Sequence, residues 1–357
     1  MTRQLRKIDH LRHALALSDG PGNTGFSDIR FVHNCLPEIK SEEVSIGTIC
    51  AGMRLFHPLV INAMTGGAVK LTPVNERLAE VALRTNSVMA VGSQYSALEY
   101  PEVAESFRIV RQVNPSGLIW ANIGAYAEPA EAQQVVEMIE ANALQVHLNA
   151  AQEISMSEGD SDFSGWLLRI EKIVRRLSVP VIVKETGCGM AMEQIRQLAS
   201  AGVAAIDVGG SGGTNFIAVE ASRKQQSIAS EMLEWGIPTA ISALEAAKVL
   251  PAEVDLIVSG GVRSPLDALK SLAIGAVAVG IATPILRSCE THGVDITVGW
   301  IEDYLQSLKR GLLLLGRNCL NDLRDQPVII TGEVGQWLEL RGISAAGYAR
   351  RSRGDKL

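Results

Sequence analysis

The chain has 357 residues, of which 47% are apolar and 20% charged, and a formal net charge of −6. That composition excludes a disordered chain, leaves ample apolar material for a large core, and argues against a basic nucleic-acid-binding domain. The first fifteen residues, MTRQLRKIDHLRHAL, contain no apolar signal-like core. No uncharged stretch, 271–286 included, exceeds 16 residues, short of the ~20 a bilayer span requires. Five cysteines (35, 50, 188, 289, 319) form no CxxC pair. A cytoplasmic chain with unpaired thiols and no membrane partner is expected.

In chain order, residues 1–58 open with a helix carrying Arg6, Lys7 and His10, then an arm, TGFSDIRFVHNCLPEI. Eight short apolar runs follow, separated by amphipathic helical segments: 59–64, 87–93, 118–124, 143–149, 179–185, 204–210, 255–261 and 276–282. Near-continuous apolarity is the mark of parallel strands covered on both faces. Eight βα units in one direction predict a single (β/α)8 barrel over 59–289. IPTA (237–240) is read as the approach to a helix, not as a ninth strand. Residues 290–357 form a helical extension with a strand-like VIITG and a basic tail (Arg350, Arg351, Arg353, Lys356), expected to be a mobile end.

Polar residues stand at the C-terminal ends of the runs: Thr65-Gly66-Gly67, Ser93, Asn122, Asn149, Lys184-Glu185, Gly209-Gly210 and Gly260-Gly261. In a barrel these ends converge on one mouth. The turns Ser259-Gly260-Gly261-Val262-Arg263 and Val279-Gly280-Ile281-Ala282 follow the last two runs. Glycine there lets backbone N–H groups approach phosphate oxygens, and Arg263 adds charge. GGSGGTNF (209–216) offers the Thr214 hydroxyl. The same turns are also compatible with tight βα connections that hold no ligand. Lys184 closes an apolar run, where burial without a partner is costly; in the mouth it can neutralise developing negative charge. QVHLNAAQE puts His147 and Asn149 on one strand face with Gln152 and Glu153 beyond. His147 on this reading is either a core histidine or a ligand.

These motifs together resemble a known family. RKxDHL, TGFxDIxFVHNxLPE, AMTGG, GSQ, NIG, QxHLNxxQE, VKExG, GGTNF, SGG and a late GxA run in order from residue 6 to about 282. The chain is similar to type 2, flavin-dependent isopentenyl-diphosphate delta-isomerases. The resemblance implies a (β/α)8 barrel with FMN, Mg²⁺ and NADPH (or NADH), interconverting isopentenyl and dimethylallyl diphosphate without net redox change. Reduced FMN would then serve as acid and base.

By motif, Met64, Thr65, Ser93, Asn122, Lys184, Thr214, Gly260, Gly261, Arg263, Gly280 and Ile281 would hold the flavin. Arg6, Lys7, His10, Ser93, Gln94, His147, Asn149 and Gln152 would hold the substrate, and Glu153 would bind Mg²⁺. Gln152, Lys184, Glu220 and His147 are the implied catalytic set. The resemblance also implies a homo-oligomer, tetramer or octamer, in which the N-terminal segment completes a neighbour's site. Tyr95, after GSQ, takes no role. The rival reading is an FMN-dependent 2-hydroxy-acid oxidase, but the loops after the sixth and seventh runs carry no histidine base. An inosine-monophosphate-dehydrogenase-like reading would need a cysteine nucleophile, for which Cys188 is the nearest residue. A barrel that binds without catalysing has no need of both a cofactor and a diphosphate site.

Overall fold

A computed structural model describes residues 3–18, 22–156, 158–224 and 230–351; the side chains of 3–6, 224 and 230 lie outside the description. Eight parallel strands close into a barrel: β1 (Leu59–Ile61), β2 (Val88–Ala90), β3 (Ile119–Gly124), β4 (Ala143–Leu148), β5 (Val181–Glu185), β6 (Ala205–Asp207), β7 (Asp255–Ser259) and β8 (Ala278–Ile281). Each falls within one of the eight apolar runs. Residues 237–240 lead into a helix, Thr239–Val249, with only an isolated bridge from Pro238 to Ser211.

The barrel interior changes character within two residues along each strand. Val60, Ala90, Trp120, Ala143, Ile182, Ala205, Ile257 and Ala278 form a lower apolar layer. Four alanines leave room for the one indole, so large and small side chains interdigitate. The antiparallel hairpin Thr48–Cys50 and Met53–Leu55 packs Cys50 and Leu55 against this layer. Two residues further, on the same strand face, stand Asn62, Gly92, Asn122, Gln145, Lys184, Asp207, Ser259 and Gly280. Hydrogen bonds join six of these side chains. His147 Nδ1 meets Asn122 Oδ1 (2.9 Å), Asn122 Nδ2 donates to Gln145 Oε1 (3.3 Å), and Gln145 Nε2 to Asn62 Oδ1 (3.2 Å). Asn62 Nδ2 donates to Asp207 (2.9 Å), which also receives Lys184 and Ser259. Buried polar groups survive in a core only when satisfied in this way.

The terminal segments brace each other. Ile29–Phe31 pairs antiparallel with Val328–Ile330, and the Asp28 carboxylate accepts from Val334 N–H (3.2 Å). Buried Glu245 receives Trp337 Nε1 and Arg341 Nε, each at 2.8 Å, tying the Gly332–Leu340 helix to the barrel wall. Residues Thr283–Leu315 are helical with a break at Gly293 (φ 83°, ψ 178°), which separates the turns that follow β8 from the helix of the C-terminal extension. The basic tail is not wholly a free end. Arg351 donates to Ala273 O (2.6 Å) and lies over the Tyr348 ring, while Arg353 and Lys356 fall outside the described residues.

Candidate active site

The strand ends open into one cavity with an empty volume, mouth included, of about 1430 Å³. Of the expected flavin residues, Met64, Ser93, Asn122, Lys184, Thr214, Gly260, Gly261, Arg263, Gly280 and Ile281 line it. Thr65 does not: its buried hydroxyl is taken by Asn75 Oδ1, and its carbonyl accepts from Gly92 N–H (2.8 Å).

The glycine turns are close-packed against one another. A Cβ on Gly261 would meet Gly212 O and Thr24 Cγ2 (2.6 Å), at a φ of +78° that L side chains rarely adopt. A Cβ on Gly280 would strike Asn62 Nδ2. Arg263 binds the turns together, donating to Gly261 O (2.9 Å) and Gly212 O (2.6 Å). Across from them Thr214 Oγ1 shares a hydrogen bond with Thr283 Oγ1 (2.5 Å) at the start of the long C-terminal helix. Backbone without side chains, two hydroxyls and a helix N-terminus suit a phosphate group. This cradle fits the phosphate of FMN.

The opposite wall comes from the N-terminal helix, Arg3–Ala16. Lys7, His10, Leu11 and Ala14 line the cavity; spaced i, i+3, i+4 and i+7, they share one helix face. His10 Nε2 lies 2.7 Å from Glu220 Oε1, His13 hydrogen-bonds Ser222, and Arg287 caps the helix end at Leu17 O (3.1 Å). Within the single chain the segment lines the cavity through these contacts. Short contacts at three points along the helix hold it there. The Arg6 side chain lies outside the description.

His147, Asn149, Gln152 and Glu153 also line the cavity, whereas Gln94 does not. Gln94 is fully buried and spends its amide on Val135 O (2.9 Å) and Asn122 N–H (3.0 Å). Its position after Ser93 turns it into the wall. Burial, reinforced by the positive charges of Lys7 and Lys184, holds the His147 imidazole down at about 3. Glu220 sits behind the surface, receiving His10, Gln152 Nε2 (2.9 Å) and Arg223 Nε (2.8 Å). Burial pushes its carboxyl up, but these partners outweigh it and hold it at about 2. A carboxylate so placed orients Gln152 and His10 and is no proton donor at neutral pH.

Glu185 turns away from the mouth. Its Oε2 accepts N–H from Gly187 (2.7 Å), Cys188 (2.5 Å) and Gly189 (3.0 Å), fixing the loop whose Thr186 and Gly187 line the cavity. Burial raises this carboxyl to about 7 despite those bonds. The same burial and the Glu185 charge push the Cys188 thiol up to about 12, which disqualifies it as a thiolate nucleophile.

Asp207, Asn62 and Gln145 carried no expectation from the sequence, and Ser259 appeared there only as part of a turn. Their signal was present: each is a polar residue two positions after a barrel-core residue on an otherwise apolar strand.

The sequence profile of FMN-dependent dehydrogenases matches residues 142–330. The isopentenyl-diphosphate delta-isomerase of a Geobacillus species is 46% identical over 98% of this chain and 100% of its own length. That of Symbiobacterium thermophilum is 44% identical over 98% and 99%. The chain belongs to the isopentenyl-diphosphate delta-isomerase family. It is an isomerase, and its barrel is of the FMN-dependent kind. Among solved structures, the lactate oxidase of Pediococcus acidilactici superposes with a TM-score of 0.67 at 15% identity, over 90% of this chain and 87% of that one. A mandelate oxidase with a monooxide FMN adduct gives 0.64 at 15%, over 89% and 95%. At such identity these oxidases share the fold alone.

Proposed function

We propose that the protein interconverts isopentenyl diphosphate and dimethylallyl diphosphate by a 1,3-allylic proton shift, as a step of isoprenoid biosynthesis. One observation carries this reading. Lys7 and His10 on one helix face and the His147–Asn149–Gln152–Glu153 group meet over a glycine cradle in a single cavity.

The ammonium of Lys7 and the imidazole of His10 bind diphosphate oxygens through hydrogen bonds that charge strengthens. We assign Glu153 to Mg²⁺. It already accepts from Asn149 Nδ2 (2.8 Å), while Asn149 Oδ1 is buried with no hydrogen-bond partner. A hydrated cation or a bound ligand would satisfy that oxygen. Among the described residues no three His, Cys, Asp or Glu side chains cluster for a metal, so the remaining Mg²⁺ ligands are assigned to diphosphate and water.

Isomerisation adds a proton at the terminal methylene carbon and removes one from C2. Reduced FMN, when bound, supplies the acid–base chemistry for that transfer. The chain contributes position and charge. Lys184 offers a positive charge to the reduced ring, and Gln152, held by Glu220, fixes the substrate's reacting end. Leu11, Ala14, Met64 and Met156 keep water from the allylic carbons.

NADPH or NADH is assigned the role of keeping the flavin reduced. We further assign a cytoplasmic location and a homo-oligomer, tetramer or octamer, for which exposed Leu36, Ile49 and Phe56 offer apolar surface. No helix among the described residues is long and apolar enough to cross a membrane.

The test is anaerobic incubation with FMN, NADPH, Mg²⁺ and isopentenyl diphosphate, following the double bond by NMR. Dimethylallyl diphosphate forming without stoichiometric NADPH loss is the expected result. Reduced flavin bound with no product would overturn the substrate assignment and return attention to hydroxy acids.

A further inference from the structure

Lys184 does not face the cavity as a free cation. Its Nζ lies 2.9 Å from Asp207 Oδ2 and 2.8 Å from Ser259 Oγ. Asp207 is fully buried, and its two oxygens receive four donors. Oδ2 takes Lys184 and Asn62 Nδ2 (2.9 Å); Oδ1 takes Ser259 Oγ (2.5 Å) and Gly209 N–H (3.3 Å). Every lone-pair direction of this carboxylate is spent beneath the cavity floor, none on a ligand. Asn62 and Ser259 line that floor beside Lys184, while Asp207 does not reach it.

A fully buried carboxylate is expensive to keep. Its register partner on β5 is Lys184 itself, and the other layer positions are neutral: three amides, a serine and two glycines. What the carboxylate does and a neutral isostere would not is offset the lysine charge next to the floor. We infer that Asp207 acts through Lys184, offsetting its charge and so setting how much positive charge the bound flavin feels, thereby tuning the cofactor between its oxidised and reduced forms. The inference rests on the FMN reading above.

Charge and orientation give opposite signs. If Asp207 offsets the Lys184 charge, removing the carboxylate leaves a net cation beside the ring and favours the reduced, more negative flavin. If Asp207 only props Lys184, removing it lets the ammonium drift off and disfavours the reduced flavin.

The experiment is a spectroelectrochemical titration of the FMN holoenzyme, wild type against Asp207→Asn, Asp207→Glu and Ser259→Ala, with a pH titration of the reduced-flavin spectrum. Asp207→Asn is expected to tighten reduced relative to oxidised FMN about tenfold, an upward shift of about 30 mV for a two-electron couple. The reduced flavin should deprotonate at lower pH, and Asp207→Glu should bring both values back. Ser259→Ala removes a neutral partner and leaves the carboxylate more fully to Lys184, so its potential should fall. This variant keeps the inference testable if Asp207→Asn does not fold. An unchanged or lowered potential in Asp207→Asn, or a raised one in Ser259→Ala, would overturn the inference while leaving the FMN reading intact. Wild-type protein that takes up no FMN would overturn both.

Discussion

Acidification should expose the burial of His147. Its folded imidazole titrates near 3, against 6.5 for an ordinary histidine. The unfolded chain therefore takes up a proton that the folded chain refuses. The stability this contributes is fully present above 6.5 and is lost as pH falls towards 3. At pH 5 the folded ring is still neutral, so the magnitude comes almost wholly from the unfolded side: about 2 kcal/mol lost between pH 7 and pH 5.

Wild-type protein will not display this slope openly, because Glu185 works in the opposite sense. Its folded carboxyl sits near 7 instead of 4.5. Its contribution is present below 4.5 and lost as pH rises through 7, by about 2 kcal/mol over the same window. The two nearly cancel. The assay is urea denaturation of the apoprotein at pH 5 and pH 7, comparing wild type with His147→Gln and Glu185→Gln. The wild-type advantage over His147→Gln should grow by about 2 kcal/mol from pH 5 to pH 7, and that over Glu185→Gln should shrink by a similar amount. Parallel pH profiles for wild type and His147→Gln would refute the buried, neutral histidine.

Other expectations follow from single contacts. Lys184→Ala should abolish turnover and weaken FMN retention. It should also destabilise the apoprotein by about 3–5 kcal/mol, because Asp207 is left buried and unpaired; unchanged turnover with FMN bound would contradict the role of Lys184. Gln152→Asn should lower kcat while leaving the flavin spectrum unaltered, since Gln152 is held by Glu220 on the substrate side of the cavity. Gly261→Ala should weaken FMN binding at least about tenfold in equilibrium dialysis, with a backbone-strain cost of about 1–3 kcal/mol. Arg341→Ala should lower the urea midpoint while preserving kcat, since its partner Glu245 anchors the C-terminal helix far along the chain from the cavity residues.

The sequence by itself determined the barrel, the mouth at its strand ends and most of the cavity wall. Parallel strands buried on both faces must be apolar throughout, and chain direction sends every strand end to the same side, so both can be read locally. The order of AMTGG, QVHLNAAQE, GGTNF and SGG carried the rest. Tertiary structure decided what local pattern cannot hold. Thr65 and Gln94 sit within correct motifs, yet their side chains found partners in the wall, at Asn75, Val135 and Asn122. Lys184 was legible as a cation in the mouth, but its partner, Asp207, is 23 residues away on the next strand. The N-terminal helix packs on Glu220, Ser222 and Arg287, all more than 200 residues downstream. Such pairings depend on which strands and helices become neighbours when the sheet closes, and closure is a property of the whole chain.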